Sequence, residues 1–228
     1  MRKTIIFDVD GTLLETERIY TDSWVIAGTR FGYEITRDMM LRTRGYSVEA
    51  TRNLLRDLFG EEFPFEAVRE ARIEASEEEI RKKTAEELLK PFVKETLKSL
   101  DKLGYRFAVA TSTGAEMTKD HLVRAGIFHY FSAIVSGEMV QFGKPHPEIF
   151  LKAAELAGAK PEDCIAVGDS PADVLSAHNA GMEVILVPDL AKNDEKTRSL
   201  CFKVLDSFEH VTDAIEEINH PKNKRCKK

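Results

Sequence analysis

Short apolar runs recur along the chain at residues 4–7, 106–110, 133–135, 164–167 and 183–187. Each has the length of a buried strand and is bounded by turn residues. Between and after the later runs, apolar positions repeat at helical spacing over 92–103, 115–125, 147–157 and 172–180. Four of these helical stretches run into a glycine, at Gly104, Gly126, Gly158 and Gly181, the residue favoured just past a helix end. A last helix is predicted over 208–218. Strand and helix alternating through short connections predict an α/β fold, a doubly wound parallel sheet covered on both faces. Residues 16–89 break the alternation. They contain no strand pattern and read as helices over 17–31, 37–43, 48–59 and 65–89. The stretch 70–87 carries mixed charges at helical spacings and reads as a solvated helix face. This segment leaves after the first strand and returns at Lys90 and Pro91, just before the second. It is therefore expected to be an inserted helical cap above the carboxyl ends of the strands, where open parallel sheets bind ligands. The expected division is a core of residues 1–15 and 90–220, a cap of 16–89, and a basic, frayed tail of 221–228.

Composition narrows the function classes. The formal net charge of -6 argues against a general nucleic-acid binder, and the tail KNKRCKK is expected to be a solvated end. No apolar run approaches the length of a membrane span and no signal peptide precedes the first strand, so a cytoplasmic protein without a membrane partner is expected. Cys164, Cys201 and Cys226 offer neither zinc spacing nor a disulfide framework, and Cys164 reads as a core residue. No long exposed apolar stripe is evident, and a monomer is expected.

Chemistry-bearing residues cluster at strand ends. Asp8 and Asp10 stand two residues apart where the first strand ends, before Gly11 and Thr12. Two carboxylates so close call for a cation or a shared proton, and Mg²⁺, with its preference for oxygen, is the expected partner. Thr111, Ser112 and Thr113 make a hydroxyl-rich turn ahead of a helix, suited to an anion. Lys144 sits between the turn residues Gly143 and Pro145, and Asp169 and Asp173 follow the fourth strand. Singly, each is as well read as a turn, a helix cap or a surface charge. Jointly they supply what phosphoryl transfer to a carboxylate needs: two metal-binding carboxylate loops, an anion-binding turn and a cation.

The segments FDVDGTLLETE (7–17), ATSTG (110–114), FGKPHPEIF (142–150) and VGDSPADVLSAHNAGM (167–182), in this order, resemble the haloacid dehalogenase-like superfamily, in the branch of β-phosphoglucomutase and phosphoglycolate phosphatase. The resemblance covers about residues 4–190 and implies a Rossmannoid core with a helical cap. It implies Asp8 as nucleophile, Asp10 as general acid and then base, and Mg²⁺ held by the Asp8 carboxylate, the Asp10 carbonyl and Asp169, with Asp173 behind them. Thr111 and the Ser112 N–H would hold phosphoryl oxygens, and Lys144 would pair with Asp8 and the phosphoryl group. The substrate would be a small phosphorylated metabolite. Cap residues Tyr20, Trp24, Arg44, Gly45, Tyr46 and Ser47 are expected near the leaving group, although Trp24 also fits the cap's own core. Three departures count against a sugar-phosphate mutase. Tyr20 stands where the mutase has a histidine, Val48 where it has a phosphate-gripping arginine, and Gly114 and Ala115 where it has a lysine and an asparagine. Asp10 argues against a dehalogenase, which lacks it. Lys82, Lys83 and Lys90 lie on a charged stretch unsuited to the Schiff-base chemistry of a phosphonatase. A non-enzymatic binding protein with a relic site is the alternative from another class; it would be expected to have lost Asp8, Asp10 or Lys144.

Overall fold

The computed structural model describes residues 1–43, 47–190 and 193–221. The expected cap-loop residues Arg44, Gly45 and Tyr46, and the basic tail from residue 222, lie outside them. Six strands form one parallel sheet: β1 (Thr4–Phe7), β2 (Arg106–Thr111), β3 (Phe131–Ser136), β4 (Cys164–Gly168), β5 (Glu183–Leu186) and β6 (Lys203–Val204). Their order is β3-β2-β1-β4-β5-β6. The chain winds outward from β1 to β3, then returns to start β4 on the other side of β1. The switch point therefore falls between β1 and β4, where ligands bind in open α/β sheets. Residues alternate between faces as a pleated strand requires. Ile5 and Phe7 pack with α6 (Val93–Lys102), α7 (Ala115–Arg124) and α11 (Val211–Asn219). Ile6, Ala108 and Ala166 pack with α8 (Glu148–Leu156) and α9 (Pro171–Asn179) on the opposite face. Cys164 is fully buried there, as expected.

The sheet has one strand more than the apolar runs predicted. β6 is two residues long at the sheet edge, too short to leave a periodic signal, and the short α10 (Glu195–Ser199) before it was missed for the same reason. The glycines at 104, 126, 158 and 181 all adopt positive φ, between 64° and 81°, as helix-ending turns demand.

Helices α1 (Glu17–Arg30), α2 (Arg37–Met40), α3 (Val48–Phe59), α4 (Phe65–Arg81) and α5 (Ala85–Leu88) lie between β1 and β2. They enclose a separate apolar cluster of Trp24, Ile35, Leu55, Phe63, Phe65 and Val68. The single helix expected over 65–89 is two. Thr84 accepts from the Glu87 N–H while the Glu87 carboxylate accepts from the Thr84 N–H, a capping box that restarts the helix after Arg81. The helix expected over 37–43 stops at Met40 and finishes as turns, and 208–210 forms a 3₁₀ turn before α11. The chain leaves and re-enters the sheet region side by side: Leu14 pairs antiparallel with Leu89, and the Lys90 N–H donates to the Leu13 carbonyl at 3.0 Å. The Lys90 ammonium ties both crossings to the core, contacting Glu15 at 3.2 Å and Asp189 at 2.9 Å. Although burial opposes its charge, these carboxylates raise its pKa, so Lys90 stays a cation. Among the described residues no helix is long and apolar enough to cross a membrane.

Candidate active site

Strand register brings the two acidic loops together. Phe7 pairs with Val167 and Val109 in the flanking strands, so Asp8, one residue on, emerges beside Gly168–Asp169 and beside Ala110–Thr111. Gly11 turns the chain back with φ of 90°, which favours glycine. Gly168 is required for a different reason: a Cβ there would lie 2.5 Å from the Asp173 Cβ. Its absence lets the first turn of α9 press against β4.

At the centre, Lys144 is fully buried. Its ammonium donates to Asp8 at 2.6 Å, to Asp173 at 2.6 Å and to the Ala110 carbonyl at 2.8 Å, using all three protons. Although burial opposes the charge, Asp173 and Asp8 raise the Lys144 pKa. One cation cannot satisfy two buried carboxylates. Burial, first, and the Asp173 charge push Asp8 up to about 8, against the pull of Lys144. The lysine thus stays protonated and the carboxylates carry the deficit. Asp8, Asp169 and Asp173 place carboxylate oxygens within 4.8 Å of one another, all buried, and the Thr12 hydroxyl stands 3.3 Å from both Asp8 and Asp169. This donor set, hard oxygens with excess negative charge, fits Mg²⁺. Asp173 does two jobs: it holds Lys144, and it completes a capping box on α9 with Ser170, whose hydroxyl donates to it at 2.5 Å. The helix-cap reading of this residue is realised, and the same carboxylate stands in the acidic cluster.

Asp10 is separated from this cluster. Its carboxylate accepts from the Thr16 hydroxyl at 2.5 Å and from the Thr113 hydroxyl at 2.6 Å. The hydroxyl turn does not cap its helix; Gly114 occupies the N-cap of α7 without a side-chain bond. Thr111 is fully buried and accepts from the Thr113 N–H at 3.1 Å.

Above these residues a cavity of about 150 Å³ reaches into the cap, lined by Asp8, Asp10, Thr111 and Ser112 below and by Tyr20 and Trp24 above. Trp24 belongs both to this wall and to the cap's apolar core. Ser47 lies instead in the wider adjoining cleft, where it caps α3. It meets the core at Gly143, where a Cβ would stand 2.8 Å from the Ser47 Cβ. In the stretch read as a solvated face, Glu70, Glu74, Glu78, Glu79 and Arg81 are exposed, but Arg72, like Arg69 just before it, lines the cavity, with its guanidinium 4.1 Å over the Tyr20 ring. The signal was present in the spacing, since Phe65, Arg69, Arg72 and Ile73 share one helix face.

Tyr20 links cap to core. Its hydroxyl stands 3.3 Å from Nδ1 of His121 on α7, and His121 Nε2 stands 2.8 Å from Glu77 on α4. Burial, then the Asp10 charge, hold the Tyr20 phenol well above its ordinary pKa, so it keeps its proton. The Tyr20 hydroxyl, the His121 ring and the Glu77 carboxylate thus form one chain of hydrogen bonds from cap to core. His121→Ala strands the hydroxyl and the carboxylate in a buried place and is expected to cost about 2 kcal/mol of stability in urea unfolding. An unchanged midpoint would show that the link contributes nothing.

Comparison with known proteins agrees with this geometry. A family model for haloacid dehalogenase-like hydrolases matches residues 5–187. A probable pseudouridine-5'-phosphatase of Drosophila melanogaster is 33% identical over 198 residues, covering 84% of each chain. A phosphorylated carbohydrates phosphatase of Thermotoga maritima is 31% identical over 85% of this chain and 88% of its own. Among solved structures, CbbY of Rhodobacter sphaeroides in complex with phosphate superposes with a TM-score of 0.79 at 27% identity, over 92% of this chain and 96% of its own.

Proposed function

Since the chain belongs to the haloacid dehalogenase-like hydrolases, we propose that it is a Mg²⁺-dependent phosphatase acting on a small phosphorylated metabolite through an aspartyl phosphate on Asp8. The observation that carries this reading is the different company of two carboxylates two residues apart. Asp8 is clamped by Lys144 at 2.6 Å inside the acidic cluster, whereas Asp10 is held by two hydroxyls at the cavity floor. That difference supports reading the first as the nucleophile and the second as the proton carrier. The names of the relatives, phosphatases of small phosphorylated compounds, support the same reading.

In this reading an Asp8 oxygen attacks phosphorus while Asp10 gives its proton to the departing alkoxide. Asp10, now a base, takes a proton from water, which attacks the same phosphorus; phosphate leaves and Asp8 is regenerated. Thr111 and the Ser112 N–H hold the phosphoryl oxygens, and the Lys144 ammonium beside Asp8 offsets their negative charge. Mg²⁺, held by Asp8, Asp169 and the Asp10 carbonyl with Asp173 behind them, would reduce the repulsion between nucleophile and phosphate. Residues 16–89 act as the cap that selects the leaving group, hinged at the paired crossings near Leu14 and Leu89.

The protein is expected to release p-nitrophenol from p-nitrophenyl phosphate with Mg²⁺, to stop in EDTA, and to recover when Mg²⁺ is restored. Folded protein with no Mg²⁺-dependent release would overturn the proposal. A mutase is disfavoured by Tyr20, which stands where the mutase has a histidine and whose hydroxyl lies 3.3 Å from His121 Nδ1.

A further inference from the structure

The cap wall of the cavity holds a cation that the chemistry above does not use. Arg72 is half-buried on α4, with its guanidinium 4.1 Å over the Tyr20 ring and 5.9 Å from the Trp24 ring. Its Nε is buried with no hydrogen-bond partner, and Arg72 forms no ion pair among the described residues. A buried cation left in this state is costly unless a bound group satisfies it. A guanidinium over a ring keeps the in-plane donors of its fork, the groups that recognise a carboxylate or phosphate by paired hydrogen bonds. Arg69, one turn earlier on the same helix face, lines the same cavity.

Asp10 and Glu17 also line the cavity and attract Arg72, yet burial, the larger effect, still holds the Arg72 pKa below its ordinary value. Beneath Arg72, Tyr20 is hydrogen-bonded to His121, and His121 to Glu77. The cavity, at about 150 Å³, suits a leaving group of a few carbons.

We infer that Arg72, assisted by Arg69, is a specificity-determining residue that reads a second acidic group on the leaving group. The favoured substrates are then small phosphomonoesters carrying a carboxylate or a further phosphate, and not neutral alcohol phosphates. The inference rests on the phosphatase reading for the position of the phosphoryl group, and its test does not depend on turnover.

Three non-hydrolysable phosphonates of matched length serve as probes in the presence of Mg²⁺: 3-phosphonopropanoate, 1,3-propanediphosphonate and the neutral-ended 3-hydroxypropylphosphonate. Trp24, the chain's single tryptophan, lines the cavity and reports binding by its fluorescence, with calorimetry as an independent readout. At least one acidic probe should bind about tenfold or more tighter than the alcohol. Whichever acid gains more identifies the group that Arg72 reads. Arg72→Met should bring all three probes to within about twofold by weakening the acidic ones alone. Equal affinities in the unmodified protein would overturn the inference, whether or not the variant folds; so would an equal loss across all three probes in a folded Arg72→Met. Discrimination in a protein that does not hydrolyse p-nitrophenyl phosphate would keep the subsite and reject the phosphatase. Hydrolysis without discrimination would do the reverse.

Discussion

Asp8→Asn is expected to abolish turnover and, at the same time, to raise the melting temperature of the metal-free protein at pH 8. The loss follows from the proposed role: an amide cannot form the phosphoryl ester, and removing a nucleophile costs on the order of 10⁴-fold or more. The gain follows from the electrostatics. Burial and Asp173 push the Asp8 pKa from 3.8 up to about 8. A carboxyl whose folded pKa exceeds its unfolded value binds its proton more tightly when folded. Its contribution to stability is complete below about pH 4 and is lost as pH rises to about 8. Asparagine mimics the protonated form at every pH and escapes that loss. The variant and the parent should therefore melt together near pH 4 and diverge toward pH 8. A gap of about 2 kcal/mol, several degrees in a chain of this size, is expected there. Mg²⁺ should close the gap by stabilising the parent alone, because cation and proton compete for the same carboxylate. Calorimetric scans at pH 4, 6 and 8, with and without Mg²⁺, check each part. A metal-free variant less stable than the parent at pH 8 would show that Lys144 outweighs burial at Asp8.

Lys144→Met is expected to act in the opposite direction on stability. Methionine keeps much of the volume of the side chain but removes the ammonium from Asp8, Asp173 and the Ala110 carbonyl at once. Breaking a buried ion pair by deleting one partner costs about 3–5 kcal/mol, since the remaining charge stays buried. Here two carboxylates are left. The loss should be largest at pH 8 and smaller near pH 5, where the carboxylates can take up protons instead. Urea unfolding at the two pH values measures this. Turnover should fall by roughly 10²–10³-fold, the usual effect of removing one preorganised charge from a phosphoryl group. Equal destabilisation at both pH values would mean that lost packing, and not charge, is responsible. The contrast between the two variants is diagnostic: one removes an excess negative charge, the other the only cation that offsets it within the described cluster.

The sequence alone determined the parallel α/β core, the helical insertion between its first two strands, and the four loops bearing Asp8, Asp10, Thr111, Lys144, Asp169 and Asp173. These were legible because strands and helices write their period into local sequence, and because each loop falls at a strand end fixed by that period. The missed β6 and the break in the helix after Arg81 were not legible for a related reason. A two-residue edge strand has no period, and the capping box at Thr84 lies inside an otherwise unbroken run of helix formers. What only the tertiary structure decided was the partnership among those residues. Lys144 clamps Asp8 to Asp173, and Asp10 turns away to Thr16 and Thr113. Arg72, on a stretch that reads as solvated, lies over Tyr20 with His121 and Glu77 beneath it. Apart from Asp10 to Thr16, such contacts join residues tens to more than a hundred positions apart. They depend on strand register and on how one helix face meets another, and no local pattern of hydrophobic and polar positions encodes either.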